Sequence, residues 1–281
     1  MKTGPGTSQD WTVGQEACDI KSSPGKPGVL VISHGSPDSD WVAFVDEAVA
    51  GAASELQANI PIVSSFLEIV EGRLIQDGID QLEAWGVTDI IVIPLFVSSG
   101  STHIDEISYA LGMKSTPEKE TDLEPFSLSA RVFFGDPIDD DPIVAEIVWD
   151  KVKELSSWPE REVLLLVGHG SRHEGFRQRW ERGIAGLSAR VGRLGGLAHA
   201  DYALLSPDSL RSKVSYWQEE RGYEVIVAPL FLSKGYFTGT VIPTRLEGLP
   251  YHYLGEALLP HSRLSRWISY QILNIMGSLK L

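Results

Sequence analysis

The chain contains two versions of one pattern. The string VLVISHGS at 29–36 returns as LLLVGHGS at 164–171, and IIVIPLFVSSG at 90–100 returns as VIVAPLFLSKG at 225–235. His34 and His169 lie 135 positions apart, as do Pro94 and Pro229. Separate strings that share one offset mark a tandem duplication, so the fold must be one supersecondary unit built twice. Between the strings the match slips by one residue: Phe66 falls on Tyr202, and Glu68 is set opposite Leu204.

Hydrophobic patterning gives each unit the order β-α-β-α-β-α-β-α. In the first copy, apolar runs predict strands over 29–33, 60–67, 89–97 and 127–134. Helical spacing predicts helices over 40–56, 74–85, 104–111 and 142–155. Gly86 is placed to cap the second helix, and Pro142 opens the fourth behind Asp139, Asp140 and Asp141. In the second copy the strands fall at 162–167, 198–205, 224–232 and 251–254, and the helices at 174–191, 208–221, 238–247 and 261–276. Alternating strands and helices give parallel sheets covered on both faces. The expected fold is α/β: two tandem repeats, each a parallel four-stranded sheet in a three-layer sandwich. A flexible segment is expected over 1–27, the first repeat over 28–157 and the second over 158–281. Residues 113–125 are polar, lack a counterpart in the second copy, and read as a surface loop.

Composition narrows the function. With 281 residues, 43% of them hydrophobic, the chain is long enough to bury a core without disulfides or a structural metal. Cys18 is the single cysteine, which excludes an internal disulfide and Cys-based zinc or iron–sulfur sites and fits a reducing cytoplasm. No apolar run reaches the roughly 18 residues of a membrane span, and residues 1–23 do not follow the signal-peptide pattern. A net charge of −14 argues against nucleic acid or an anionic membrane as partner. That charge is unevenly divided. Residues 1–157 carry 9 Lys and Arg against 27 Asp and Glu, a net −18; residues 158–281 carry 15 against 11, a net +4.

Parallel α/β sheets bind ligands at the carboxyl ends of their strands, where the repeated motifs fall. His34-Gly35-Ser36 follows the first strand of copy one and His169-Gly170-Ser171 that of copy two. Gly permits a sharp turn, Ser accepts from backbone N–H groups, and such a turn can cradle an anion. There is no GxxxxGK[ST] phosphate loop, no GxGxxG after the first strand, and no Gly two places after the Ser to make a nucleophile elbow. Nothing calls for a flavin, nucleotide or haem, so no organic cofactor is expected. The loop after the third strand, Ser98 to His103, should lie beside the His34 turn, with Glu68 on the same rim. Two imidazoles and a carboxylate suit a divalent first-row metal such as Co²⁺, Fe²⁺, Ni²⁺ or Zn²⁺. Each residue alone is more often structural; the set of three makes the functional reading an even match. Copy two keeps His169 but reads Gly235-Tyr236-Phe237-Thr238 where the second His would stand. Copy one is thus the expected active lobe and copy two the supporting lobe.

The segments SHGS, GHGSR, FLEIVEG, PLFVSSGSTHIDEI and PLFLSKGYFTGTVIP resemble the class II tetrapyrrole chelatases of the sirohydrochlorin cobaltochelatase/ferrochelatase family, in their long two-repeat form. The resemblance spans about 28–277. It implies ATP-independent insertion of Co²⁺ or Fe²⁺, with Ni²⁺ a further candidate, into sirohydrochlorin on the way to cobalamin or sirohaem. By position it assigns His34, His103 and Glu68 as catalytic and metal-binding. Ser36, Ser98, Ser99, Gly100, Thr102, His169, Ser171, Arg172, Arg177 and Lys234 become candidates for contact with the polycarboxylate tetrapyrrole. One departure stands out. The family places its second His two residues after the loop Gly, where this chain has Thr102; His103 comes one later. The altered loop leaves a second class of function open, a non-catalytic protein that binds or delivers a metal or tetrapyrrole. A two-repeat chain can build its cleft as a monomer, with no nucleic-acid or membrane partner.

Overall fold

The computed structural model describes residues 25–56 and 60–279. Cys18 and most of the N-terminal segment lie outside the described residues. The first repeat forms β1 (Pro27–Ser33), α1 (Ser39–Glu55), β2 (Ile62–Phe66), α2 (Ile75–Ala84), β3 (Asp89–Pro94), α3 (Thr102–Ala110), β4 (Arg131–Phe134) and α4 (Pro142–Val152). The second forms β5 (Glu162–Gly170), α5 (Glu174–Gly195), β6 (His199–Ser206), α6 (Leu210–Ser215), β7 (Glu224–Pro229), α7 (Ile242–Arg245) and α8 (Ser262–Leu279). All strand pairs are parallel, in the orders β2-β1-β3-β4 and β6-β5-β7. β1 and β3 pair with Ile32 opposite Pro94; β5 and β7 pair with Val167 opposite Pro229, the same register 135 residues on.

The fourth strand expected at 251–254 is reduced to a single parallel bridge between Ile226 and His252. His252 still exchanges backbone hydrogen bonds with Val225 and Val227. Pro250 cannot donate to a ladder, which shortens that edge.

Burial alternates along the central strands. Leu30 and Ile32 face a core with Ile75, Ile79 and Leu82 of α2 and Ile107 of α3, while Val29 and Val31 face the other side. In the second sheet Val163, Leu165 and Val167 pack outward against Leu210, Val214 and Ile242. The two inward faces share one large core with α1, α4, α5 and α8. Within it the repeats interlock: α4 packs on α5 and reaches β7, and α8 packs on α1 and reaches β3. Each repeat's last helix therefore covers the other repeat, and Ser269 of α8 donates to Glu55 of α1 at 2.7 Å.

Local capping follows the sequence. Gly86, at φ +78°, ends α2. Asp141 caps α4 by accepting from Ile143 N–H at 2.7 Å. The neighbouring acids are structural as well: Asp140 pairs with Arg190 at 3.1 Å and Asp139 accepts from Ser99 N–H at 2.9 Å. Trp180 and Trp267 are core residues, whereas Trp158 is exposed.

Candidate active site

β1 ends in Ser33, and the chain turns at His34-Gly35. Gly35 has φ +101°, and a Cβ there would collide with the carbonyl oxygen of Glu68. Gly170 has φ +79° and the same conflict with the carbonyl of Ser206. Only Gly meets both demands, so the two HGS turns sit flush against the loops after β2 and β6. This contact corrects the sequence alignment. Phe66 lies beside Gly35 as Leu204 lies beside Gly170, so Glu68 corresponds to Ser206 rather than to Leu204. The extra residues lie ahead of β6, in the longer α5: Val29 pairs with Ile62, and its counterpart Leu164 with Ala200, so the offset is already 138 where the strands begin. The second repeat still lacks the carboxylate.

His34 Nδ1 lies 3.1 Å from the Gly35 carbonyl, and its Nε2 lies 3.4 Å from Glu68 Oε1. Ser101 caps α3 by accepting from His103 N–H at 3.3 Å, which puts His103 on the first turn. The His34 and His103 rings meet edge to face, with centroids 4.8 Å apart at 75°. Phe96 lies 6.2 Å from His103. Glu106, one turn along α3, takes His103 Nδ1 at 2.5 Å and Thr121 Oγ at 2.7 Å. The His103 hydrogen bond, followed by the one from Thr121, holds the Glu106 carboxyl below its ordinary range despite burial. An ionised Glu106 accepts from Nδ1–H, which leaves Nε2 as the lone-pair atom of His103. Sequence reasoning placed Glu106 in the motif but gave it no such task.

The one-residue displacement of His103 has a backbone explanation. In the second repeat the turn at Phe237–Val241 is a π-turn ahead of α7; in the first, α3 starts as an α-helix at Thr102. His103 is thus four residues before buried Ile107, while Phe237 is five before buried Ile242. The wider turn consumes the extra residue, and the two rings end in matching places. Phe237 meets His169 edge to face at 5.1 Å and 89°, and stacks on Phe231 at 5.4 Å.

Both turns open into one cleft of about 640 Å³ between the repeats. His34, Ser36, Gly100, Thr102 and His103 line it from the first repeat, and His169, Ser171, Arg172 and Lys234 from the second. Ser98, Ser99 and Arg177 do not. Ser98 is buried and accepts from Gly100 N–H at 3.0 Å, Ser99 is held by Asp139, and Arg177 lies along α5 near Glu181. Glu68 stands behind His34, outside the lining, and is more than half exposed. Among the described residues, no three His, Cys, Asp or Glu side chains converge as a ready metal cage. The expected trio is instead a His34–Glu68 pair beside a His103–Glu106 pair. Trp41, Phe96, Lys119, Trp180, Phe231 and Tyr236 also line the cleft. The repeated PLF string carries the two Phe residues and was the available signal for them. Lys119 lies in the single-copy segment, where no repeat draws attention to it.

A duplicated parallel α/β scaffold with strand-end histidines facing one inter-repeat cleft defines a two-lobed ligand-binding protein of the chelatase architecture. The CbiX family model matches residues 28–155 and again 163–275. The chain therefore belongs to the CbiX family, the class II chelatases, in two-repeat form. Sirohydrochlorin cobaltochelatase of Methanothermobacter thermautotrophicus is 30% identical over 136 residues, which are 46% of this chain and 92% of that relative. SirB from Bacillus subtilis with Fe³⁺ superposes with a TM-score of 0.70 at 19% identity, over 91% of this chain and 97% of SirB. The sirohydrochlorin chelatase SirB of Bacillus subtilis subspecies spizizenii, in complex with cobalt, gives 0.66 at 19% identity, over 89% and 95%.

Proposed function

We propose that the chain is a sirohydrochlorin chelatase that inserts a divalent metal, Co²⁺ or Fe²⁺, without ATP. The observation that carries this reading is the meeting of the His34 and His103 rings in the lining of a cleft of about 640 Å³, with Glu68 backing His34 at 3.4 Å. Two ligands about 2.1 Å from a shared ion at a tetrahedral angle stand about 3.4 Å apart, so His34 Nε2 and Glu68 can share an incoming cation. His34 Nδ1–H facing the Gly35 carbonyl leaves Nε2 as the donor atom. His103, oriented by Glu106, supplies a second imidazole lone pair. Insertion releases two pyrrole N–H protons, and the imidazoles or Glu68 accept them as the metal transfers to the ring nitrogens.

The first repeat serves as the active lobe, and the second closes the cleft with Arg172 and Lys234. A single chain completes the cleft, so a monomer suffices. Service in cobalamin or sirohaem synthesis in the cytoplasm follows from this reading. No helix among the described residues is long and apolar enough to cross a membrane. The test is anaerobic incubation of sirohydrochlorin with Co²⁺, Fe²⁺ or Ni²⁺, followed by absorbance. Multiple turnovers are expected with at least one metal. Stoichiometric binding without turnover would instead make the chain a binding or delivery protein.

A further inference from the structure

Residues 113–125 do not leave the molecule as a free surface loop. After Gly112 turns at φ +73°, the segment runs back along α3. The buried Asp105 carboxylate of α3 accepts N–H groups from Glu118 at 2.9 Å and Lys119 at 3.1 Å, and pairs with Lys114. A buried carboxylate is tolerated only when so partnered, which makes this a built anchor. Glu118 then bridges to Arg179 of α5 at 3.0 Å, tying the segment to the second repeat. The backbone is held at Glu118 and Lys119 by Asp105 and at Thr121 by Glu106, and Lys119 lines the cleft.

Among the described residues, the cleft lining contains no Asp or Glu, and Lys119 is the one Lys or Arg contributed by the acidic first repeat. Lys234 is already paired with Glu256 at 2.5 Å. Lys119 and Arg172 have no ion-pair partner among the described residues. Lys119 acts electrostatically on Glu106, which lies outside the lining, without forming an ion pair; a lining with two unpaired cations and no acid is complementary to an anion.

We propose that Lys119 is a substrate-binding residue that the 113–125 segment places to take a peripheral carboxylate of the tetrapyrrole. This rests on the chelatase reading and adds a contact from the segment that the second repeat lacks. The segment also touches Glu106 through Thr121, so the Lys119 contact and the His103 side chain hang on the same helix.

The test compares the full-length wild type with Lys119→Met and Lys119→Arg. Two quantities are read: the Kd for metal-free sirohydrochlorin, from its absorbance, and KM and kcat with Co²⁺. Lys119→Met is expected to raise Kd and KM about 5- to 20-fold, the size of one exposed charge-assisted hydrogen bond, with kcat within about twofold. Lys119→Arg should restore most of the loss. Kd and KM of Lys119→Met within twofold of wild type would overturn the assignment, as would a loss that Arg fails to rescue. A wild type that binds without turnover removes the chelatase reading and leaves Kd to decide on Lys119. One that does not bind removes both.

Discussion

The two HGS turns carry nearly the same ring geometry with different chemistry. In the first repeat His34 meets His103 at 4.8 Å and 75°; in the second His169 meets Phe237 at 5.1 Å and 89°. Glu68 on one side is Ser206 on the other, and each backs a left-handed Gly. The scaffold thus fixes where an aromatic ring must stand, and the side chain decides whether it offers a lone pair. Phe237 keeps the packing with Phe231 and offers no imidazole. The second repeat adds Arg172 and Lys234 to the cleft lining and no carboxylate beside His169, so the two turns present different side chains to one cleft.

The largest expected effect breaks this comparison at the histidines. His34→Ala should lower metal insertion by roughly 10²–10⁴-fold, the range for loss of a catalytic acid–base group. His169→Ala should change kcat by less than about tenfold and act mainly on KM, because Phe237 and Ser206 leave it without ligand partners. Equal losses in kcat from both variants would show that the repeats share the chemistry. A second effect is structural. Gly100 of the first repeat faces the Phe176 carbonyl and Trp180 of α5, so an added Cβ has no room; Gly235, its counterpart, faces open space. Gly100→Ala should destabilise by about 1–3 kcal/mol and Gly235→Ala by less than about 0.5, measured by urea unfolding. Identical midpoints would mean that the His103 loop is not clamped between the repeats.

Much of this was legible because the pattern occurs twice. Repeated strings located β1, β3, β5 and β7 and the two turns, since parallel strands buried on both faces read as continuous apolar runs. Three features were not legible, each for a physical reason. The Glu68 counterpart was misplaced because α5 is longer than α1, and only strand register and contact with Gly170 reveal Ser206. The displaced His103 looked out of position because a π-turn and an α-turn consume different numbers of residues for the same spatial step. The exchange of α4 and α8 leaves no local trace, since a helix shows an apolar face without saying which sheet it covers. Ser98 and Ser99 resembled cleft residues by position, but the backbone of their loop turns them toward Gly100 and Asp139.

The smallest effect concerns the element that the second repeat lacks. Burial pushes the Asp105 pKa up, but Lys114 and the N–H groups of Glu118 and Lys119 outweigh it, so the net shift is below the ordinary carboxylate value. The adjacent Glu106, held by His103 and Thr121, shifts the same way. When the folded pKa lies below the unfolded one, the stabilisation is complete above the unfolded value, about pH 4, and is lost as pH falls through the folded value. The 113–125 segment should therefore stay docked at about pH 5 and loosen only below about pH 4. Amide exchange, corrected for its intrinsic pH dependence, should show protection near Glu118 and Lys119 falling in that range, while the loop around Gly235 has no such transition. Asp105→Asn should give the acid-like exchange pattern at neutral pH, because an amide oxygen is a weaker acceptor and loses the Lys114 pairing. Protection near Lys119 that survives in Asp105→Asn would show that Glu118 and Arg179 hold the segment alone, and the two repeats would then differ in sequence here without differing in their response to acid.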